Sequence, residues 1–238
     1  MSGWKAKRFW QAAAVTKAEC GHGIALDGRP LQTPGKRALI VPTRALAQAI
    51  AAEWDAQQGQ IDPRSMPLTR AANAALDKVA AQHAEVVALI ADYGATDHLC
   101  YRAEAPQALQ ACQCAAWDPL LDWAAAAFDV RLNVTQGIAP VAQDAAALAR
   151  LAALVGQMDA FELVALYDLV GITGSLVLGL AVVRGHIGAD AAWQLARIDE
   201  DWQAAQWGED DEAAAQAALR RGALLVAAKF WRLVHASH

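Results

Sequence analysis

The residue types best suited to chemistry in this chain are its carboxylates, cysteines and histidines, and none falls into a spacing that completes a catalytic set. Carboxylate pairs that could divide acid and base duty occur at Asp97/Glu104, Asp118/Asp122 and Glu200/Asp201. Asp118 precedes Pro119, a pattern that predicts a helix N-cap and first-turn proline, with Asp122 facing solvent on the helix that follows. No nucleophile stands in a recognisable relation to a base. Cys20/His22, His98/Cys100 and Cys112/Cys114 are each separated by a single residue, whereas structural zinc pairs are usually separated by two to four. On a strand such a gap would put both ligands on one face. The pairs are scattered, however, so the expectation is small buried thiols and surface histidines, with no metal and no cofactor. There is no Gly-x-Gly-x-x-Gly after a strand, no phosphate loop and no Gly-x-Ser-x-Gly elbow. Gly171-Ile172-Thr173-Gly174-Ser175 is glycine-rich, but no lysine follows and its flanks are apolar, which predicts a kink or a close packing contact.

What remains is a segment suited to binding. Seven acidic residues and two tryptophans lie between Asp199 and Glu212, with no base among them. On a helix, Ile198 and Trp202 share a face, while Asp199, Gln203 and Trp207 form an adjacent stripe beside Glu200. Such a helix could turn its tryptophans inward and solvate its acids. The acids crowd both ends of the Trp pair, however, and their mutual repulsion should cost stability. That cost is most simply offset by a basic partner.

The elements that must carry this segment are largely helical. Of 238 residues, 56% are hydrophobic, and the alanine richness favours helix. The net charge of −5 argues against general nucleic-acid binding. The charge is uneven: residues 1–44 carry a net +6 and the remainder −11. Four cysteines without a dense pattern suggest a reducing compartment. Met1–Trp10 lacks an apolar signal core, so the bacterial cytoplasm is the expected location. The run from Leu163 to Val183 is apolar except for Asp168 and long enough to span a bilayer. An aspartate in lipid is expensive. A buried core segment, closely packed through Gly171, Gly174 and Gly179, is therefore the expectation, with no stable membrane insertion.

The fold class expected is α+β, a small antiparallel β-rich domain over residues 1–80 followed by a larger all-helical domain over 81–238. Strands are expected at Arg8–Trp10, Ala12–Val15, Ile24–Leu26 and Ala38–Val41, with Asp27-Gly28 as a hairpin turn. Thr43 should cap a helix that ends near Gln57. A loop spans Pro63–Pro67, and Thr69 opens a helical stretch to Tyr93 that breaks at Gly94. Helices follow from Pro106 to Ala116 and from Leu120 to Phe128. A short strand is expected through Val130, Leu132 and Val134. From Asp144 the chain should be almost wholly helical, broken at Gly156, Gly185–Gly188 and Gly208. Asp190 should cap the helix that bears the acidic segment, and a final helix should run from Asp211 to His235.

Several stretches carry a resemblance whose order and spacing are specific. They are Leu26–Pro34 with Lys36-Arg37, Pro42–Ala47, Ala52–Gln57, Met66–Arg70, Thr96–Arg102, Trp117–Trp123, Gly174–Leu178, and the acidic segment through Gln206-Trp207-Gly208. Through most of its length the chain resembles the ATP synthase assembly chaperones that attend the α subunit of the enzyme's soluble catalytic head. The resemblance implies a two-domain protein with no catalytic activity. It would bind the unassembled α subunit, shield the surface destined for the β subunit, and hand it over during assembly. It also implies a functional acid near Asp199–Asp201, placed on Glu200 with Asp199 as the near alternative. The partner-binding set expected is Asp199, Glu200, Asp201, Gln203, Trp207 and Glu209. Trp54, Asp55, Asp27, Gly28 and Trp202 are expected as structural or family-motif positions. The competing readings are an interaction protein with another client and a nucleotide-hydrolysing enzyme.

Overall fold

The computed structural model describes residues 7–208 and 210–237, and the chain divides into two compact units. Among the described residues, unit 1 comprises 7–83, 159–165 and 229–237, and unit 2 comprises 84–158, 166–208 and 210–228.

Unit 1 is built on strands β1 (Ala13–Ala18), β2 (Gly21–Leu26), β3 (Arg29–Pro30) and β4 (Ile40–Val41). β2 is central and pairs antiparallel with the other three, Val15 opposite Ile24 and Gly23 opposite Ile40. Asp27 and Gly28 turn the β2–β3 hairpin with φ of 47° and 81°, the left-handed pair that a two-residue turn demands. Arg8–Trp10 is not a strand. Its backbone is held instead by the Arg8 guanidinium, which folds back to donate to the carbonyls of Trp10, Gln11, Asp55 and Gln57. Helix α1 (Arg44–Asp55) packs on β1 and β2, and the Thr43 hydroxyl accepts from Leu46 N at 3.1 Å as its cap.

The next helix begins two residues earlier than Thr69. Pro67 opens α2 (Pro67–Ala74), whose N-cap Met66 has no capping side chain. Glu53 of α1 takes that role. Its carboxylate accepts from Leu68 N at 2.7 Å and from Thr69 N at 2.8 Å. The expected loop at Pro63–Pro67 contains a 3₁₀ turn, and α2 runs on into a π-helical turn at Ala75–Val79.

The resemblance's N-terminal motifs meet in unit 1. The Asp27 carboxylate accepts from Gln11 N and Ala12 N, and Asp55 Oδ1 accepts from Ala13 N, so both pin the entry to β1. Trp54 lies edge-on to buried Trp10 with ring centroids 5.2 Å apart. Asp77 ties down the basic turn, accepting from the Thr33 hydroxyl and from Gly35 N. Backbone hydrogen bonds lower the Asp27 pKa, and the Thr33 hydroxyl lowers that of Asp77. A depressed carboxylate stabilises the fold above the unfolded pKa and loses that contribution as pH falls through the folded one. Native stability, followed by urea midpoints, should therefore decline below about pH 3.8, the ordinary value. The Asp27→Asn/Asp77→Asn double variant should show a shallower decline.

Unit 2 contains all but the first residue of α3 (His83–Ala91), then β5 (Tyr101–Arg102), α4 (Gln107–Phe128), β6 (Thr135–Gln136) and α5 (Ala145–Gly156). Most of α6 (Ala160–Thr173), then α7 (Leu176–Val183), α8 (Ala189–Leu195), α9 (Ile198–Trp207) and most of α10 (Asp211–Val234) complete it. The two helices expected on either side of Asp118-Pro119 are one, because a single apolar stripe of Leu109, Trp117, Leu120, Leu121 and Ala124 runs through the proline at helical spacing. Asp118 is not a cap. It accepts from Arg102 Nη2 at 2.6 Å. The expected strand at Val130–Val134 shifts to β6, which pairs parallel with β5.

The apolar run Leu163–Val183 divides at Gly174 (φ 70°) into α6 and α7, with Ser175 capping α7. Gly179 lets these helices approach, since a Cβ there would sit 2.6 Å from Val170 Cγ2. Gly171 has only an ordinary 3.9 Å neighbour. No helix among the described residues is long and apolar enough to cross a membrane. The core of unit 2 gathers Leu99, Trp117, Leu121, Val177, Leu178 and Ala192.

Candidate functional site

The acidic segment lies on α9 and the first turn of α10. The continuous helix expected from Asp190 breaks at Ala196–Arg197 into α8 and α9. Gly188, not Asp190, is the N-cap of α8, and Asp190 pairs with Arg221. Trp117 of α4 secures the elbow by donating from Nε1 to the Leu195 carbonyl at 2.9 Å. Arg197 lies over the Trp193 ring at 5.1 Å.

α9 buries no residue fully. Ile198, Asp199 and Trp202 are half-buried on its inner side, with Ile198 packed against the unit 2 core. Glu200, Asp201, Gln203 and Trp207 face outward. Trp207 is 81% exposed, an unusual place for the largest side chain. The expected binding residues have different surroundings. Asp199 Oδ1 accepts from Gln113 Nε2 at 2.5 Å, and Asp201 pairs with Arg197 at 3.2 Å. Glu200 makes no hydrogen bond or ion pair with the described residues, and Glu209 lies outside them.

The expected destabilisation from crowded acids is offset by where the helices start. Asp199, Glu200 and Asp201 occupy the first turn of α9, and Asp211 and Glu212 that of α10, where the helix dipole favours negative charge. Asp210 accepts from Ala213 N at 2.8 Å at the start of α10. The acid count is thus partly a requirement of helix geometry. Glu200 shares that first-turn role but has no side-chain partner among the described residues, and Trp207 leaves most of its ring in solvent.

Gln113 went unremarked in the sequence. It is 1% exposed, and its signal was a lone amide on the apolar stripe of α4. Among the carboxylates considered for acid/base work, Asp97 is fully buried. It accepts from Leu99 N and Val177 N, both at 3.0 Å, and from the Ser175 hydroxyl. Burial raises its pKa. The Cys100 thiol beside it is buried and pushed up to about 12, far from a reactive thiolate. All four cysteines are free, and no three metal-ligating side chains gather among the described residues.

Residues 7–125 match the family described as ATP12 chaperone protein. The chain belongs to the ATP12 chaperone family. Atp12 from Paracoccus denitrificans is 53% identical and superposes with a TM-score of 0.94, over 98% of this chain and all of that one. An aspartate-to-lysine mutant of that Atp12p superposes at 0.95 with the same identity and coverage. The mitochondrial protein atp12 of Schizosaccharomyces pombe is 25% identical over 220 residues, 87% of this chain and 75% of that protein. The ATP12 fold accounts for both the antiparallel β unit and the larger helical region.

Proposed function

We propose that this ATP12-family chaperone binds the unassembled α subunit of the ATP synthase catalytic head and covers its β-facing surface until assembly. Members of the family are ATP synthase assembly chaperones. The observation that carries the finer reading is Trp207, exposed at the last residue of α9, about two turns from Glu200, whose carboxylate has no partner among the described residues. An unassembled subunit presents apolar interface with basic side chains, a surface prone to aggregation. An acid-rimmed tryptophan can cover such a surface at modest affinity, because rim charge speeds encounter more than it holds the complex. The reading places the protein in the bacterial cytoplasm, the counterpart of the mitochondrial matrix, without catalysis of its own.

Refolding of α subunit from denaturant tests this. The chain should suppress light scattering, and Glu200→Lys should weaken the suppression by about tenfold in effective concentration, a loss of roughly 1.4 kcal/mol. Suppression that is absent for α subunit, or equal for unrelated unfolded proteins, would point to a different client. ATP turnover by the pure protein would favour the hydrolase reading instead.

A further inference from the structure

We infer that Gln113 is a positioning residue for the docking helix, and that Asp199 acts as its latch rather than as a charge presented to the client. This rests on the reading of α9 as the client-binding element. α9 buries no residue fully, so the apolar contact of Ile198 with the core and of half-buried Trp202 holds its orientation only in part. Two groups one turn apart on α4 hold the chain at its start. Trp117 Nε1 holds the end of α8 through the Leu195 carbonyl, and Gln113 Nε2 holds the first turn of α9 through Asp199 Oδ1.

The Gln113 amide is itself oriented. Its Oε1 accepts from Ala103 N at 2.8 Å, which leaves Nε2 to point at the carboxylate. A buried amide with both ends engaged has a single favourable orientation, and a hydrogen bond to a charged acceptor is stronger than a neutral one. Asp199 and Glu200 are adjacent on the helix and point about 100° apart. Fixing Asp199 inward therefore fixes Glu200 outward, on the side from which a partner approaches.

The two roles open to Asp199 predict opposite outcomes. Gln113→Glu keeps the acceptor for Ala103 N but sets one carboxylate against another. It should weaken α subunit affinity by about tenfold, and it should speed amide hydrogen exchange across α9. Asp199→Asn keeps an acceptor oxygen for Gln113 and should leave both readings near wild type. The double variant Gln113→Glu/Asp199→Asn exchanges amide and carboxylate, restores the bond with its direction reversed, and should recover both.

The inference is overturned if Asp199→Asn alone weakens affinity tenfold and the double variant stays weak, because the charge would then touch the client. It is overturned equally if Gln113→Glu leaves affinity and α9 exchange unchanged. Should wild-type protein not bind the α subunit at all, the proposed function fails, and the exchange measurements still decide whether Gln113 holds α9.

Discussion

Replacing Asp97 with alanine costs the native state about 3–5 kcal/mol, the sum expected for three buried donors left without an acceptor. The carboxylate caps the 3₁₀ turn His98–Cys100 through Leu99 N and reaches across to the start of α7 through Val177 N and the Ser175 hydroxyl. Removing it leaves buried donors without their acceptor at two places in the core at once. Asparagine is not a neutral replacement. One of its amide faces is a donor, so it opposes either Leu99 N or Val177 N, and a loss of about 2 kcal/mol is expected. The pH behaviour distinguishes Asp97 from Asp27 and Asp77. Burial raises its pKa, so the folded state holds this proton to higher pH than the unfolded chain does. Its contribution is fullest below the unfolded value and declines as pH rises through the folded one, opposite in sign to the two surface aspartates. Urea unfolding of wild type, Asp97→Ala and Asp97→Asn across the acid range checks both the magnitude and the sign.

The second large effect is at Trp117. Its ring is fully buried in the unit 2 core, beneath the Arg102 guanidinium at 4.9 Å and edge-on to His98 at 4.9 Å. Trp117→Ala should cost about 3–5 kcal/mol for the lost volume and cavity. Trp117→Phe keeps most of the apolar body and the face offered to Arg102 but leaves the Leu195 carbonyl unpaired, so about 1–2 kcal/mol is expected. The consequences extend beyond stability. Leu195 ends α8, so even the phenylalanine variant should loosen the elbow that leads into α9. Thermal unfolding measures the first effect, and amide exchange in residues 196–207 measures the second. A phenylalanine variant as rigid there as wild type would remove Trp117 from the support of the site.

Local chemistry was legible in the sequence where the structure obeys local rules. Asp27-Gly28 turns its hairpin because few residue pairs accept two positive φ values, and Thr43 caps its helix through a bond three residues long. The acidic segment was visible as a run, and Trp207, expected in the partner-binding set, is exposed. What was hidden depends on contacts between residues far apart. Asp118-Pro119 has the signature of a helix start, but the Leu109–Ala124 stripe packs as one face, and tertiary burial outweighs one missing backbone bond. Asp118 meets Arg102 across sixteen residues, Asp97 meets Val177 across eighty, and Gln113 meets Asp199 across eighty-six. No periodicity encodes such pairings. The break between α8 and α9, which makes Asp199–Asp201 a helix start, was hidden for the same reason, since the Leu195 carbonyl is satisfied from α4 rather than from its own helix.

This division changes the meaning of the segment. Asp199 is held by a buried amide and Asp201 by Arg197, and the other described acids, Glu200 included, sit at helix starts; Glu200 and Trp207 are the pair whose side chains stay open to a partner among the described residues. The central claim is that this pair engages the α subunit before the β subunit does. Titration calorimetry with isolated α subunit tests it most directly, using wild type, Glu200→Lys and Trp207→Ala, each first shown to be folded. A saturable complex is expected for wild type, with affinity reduced about tenfold or more in each variant and displacement of the chain by added β subunit. Variants that bind as tightly as wild type, or a complex that β subunit leaves intact, would contradict it.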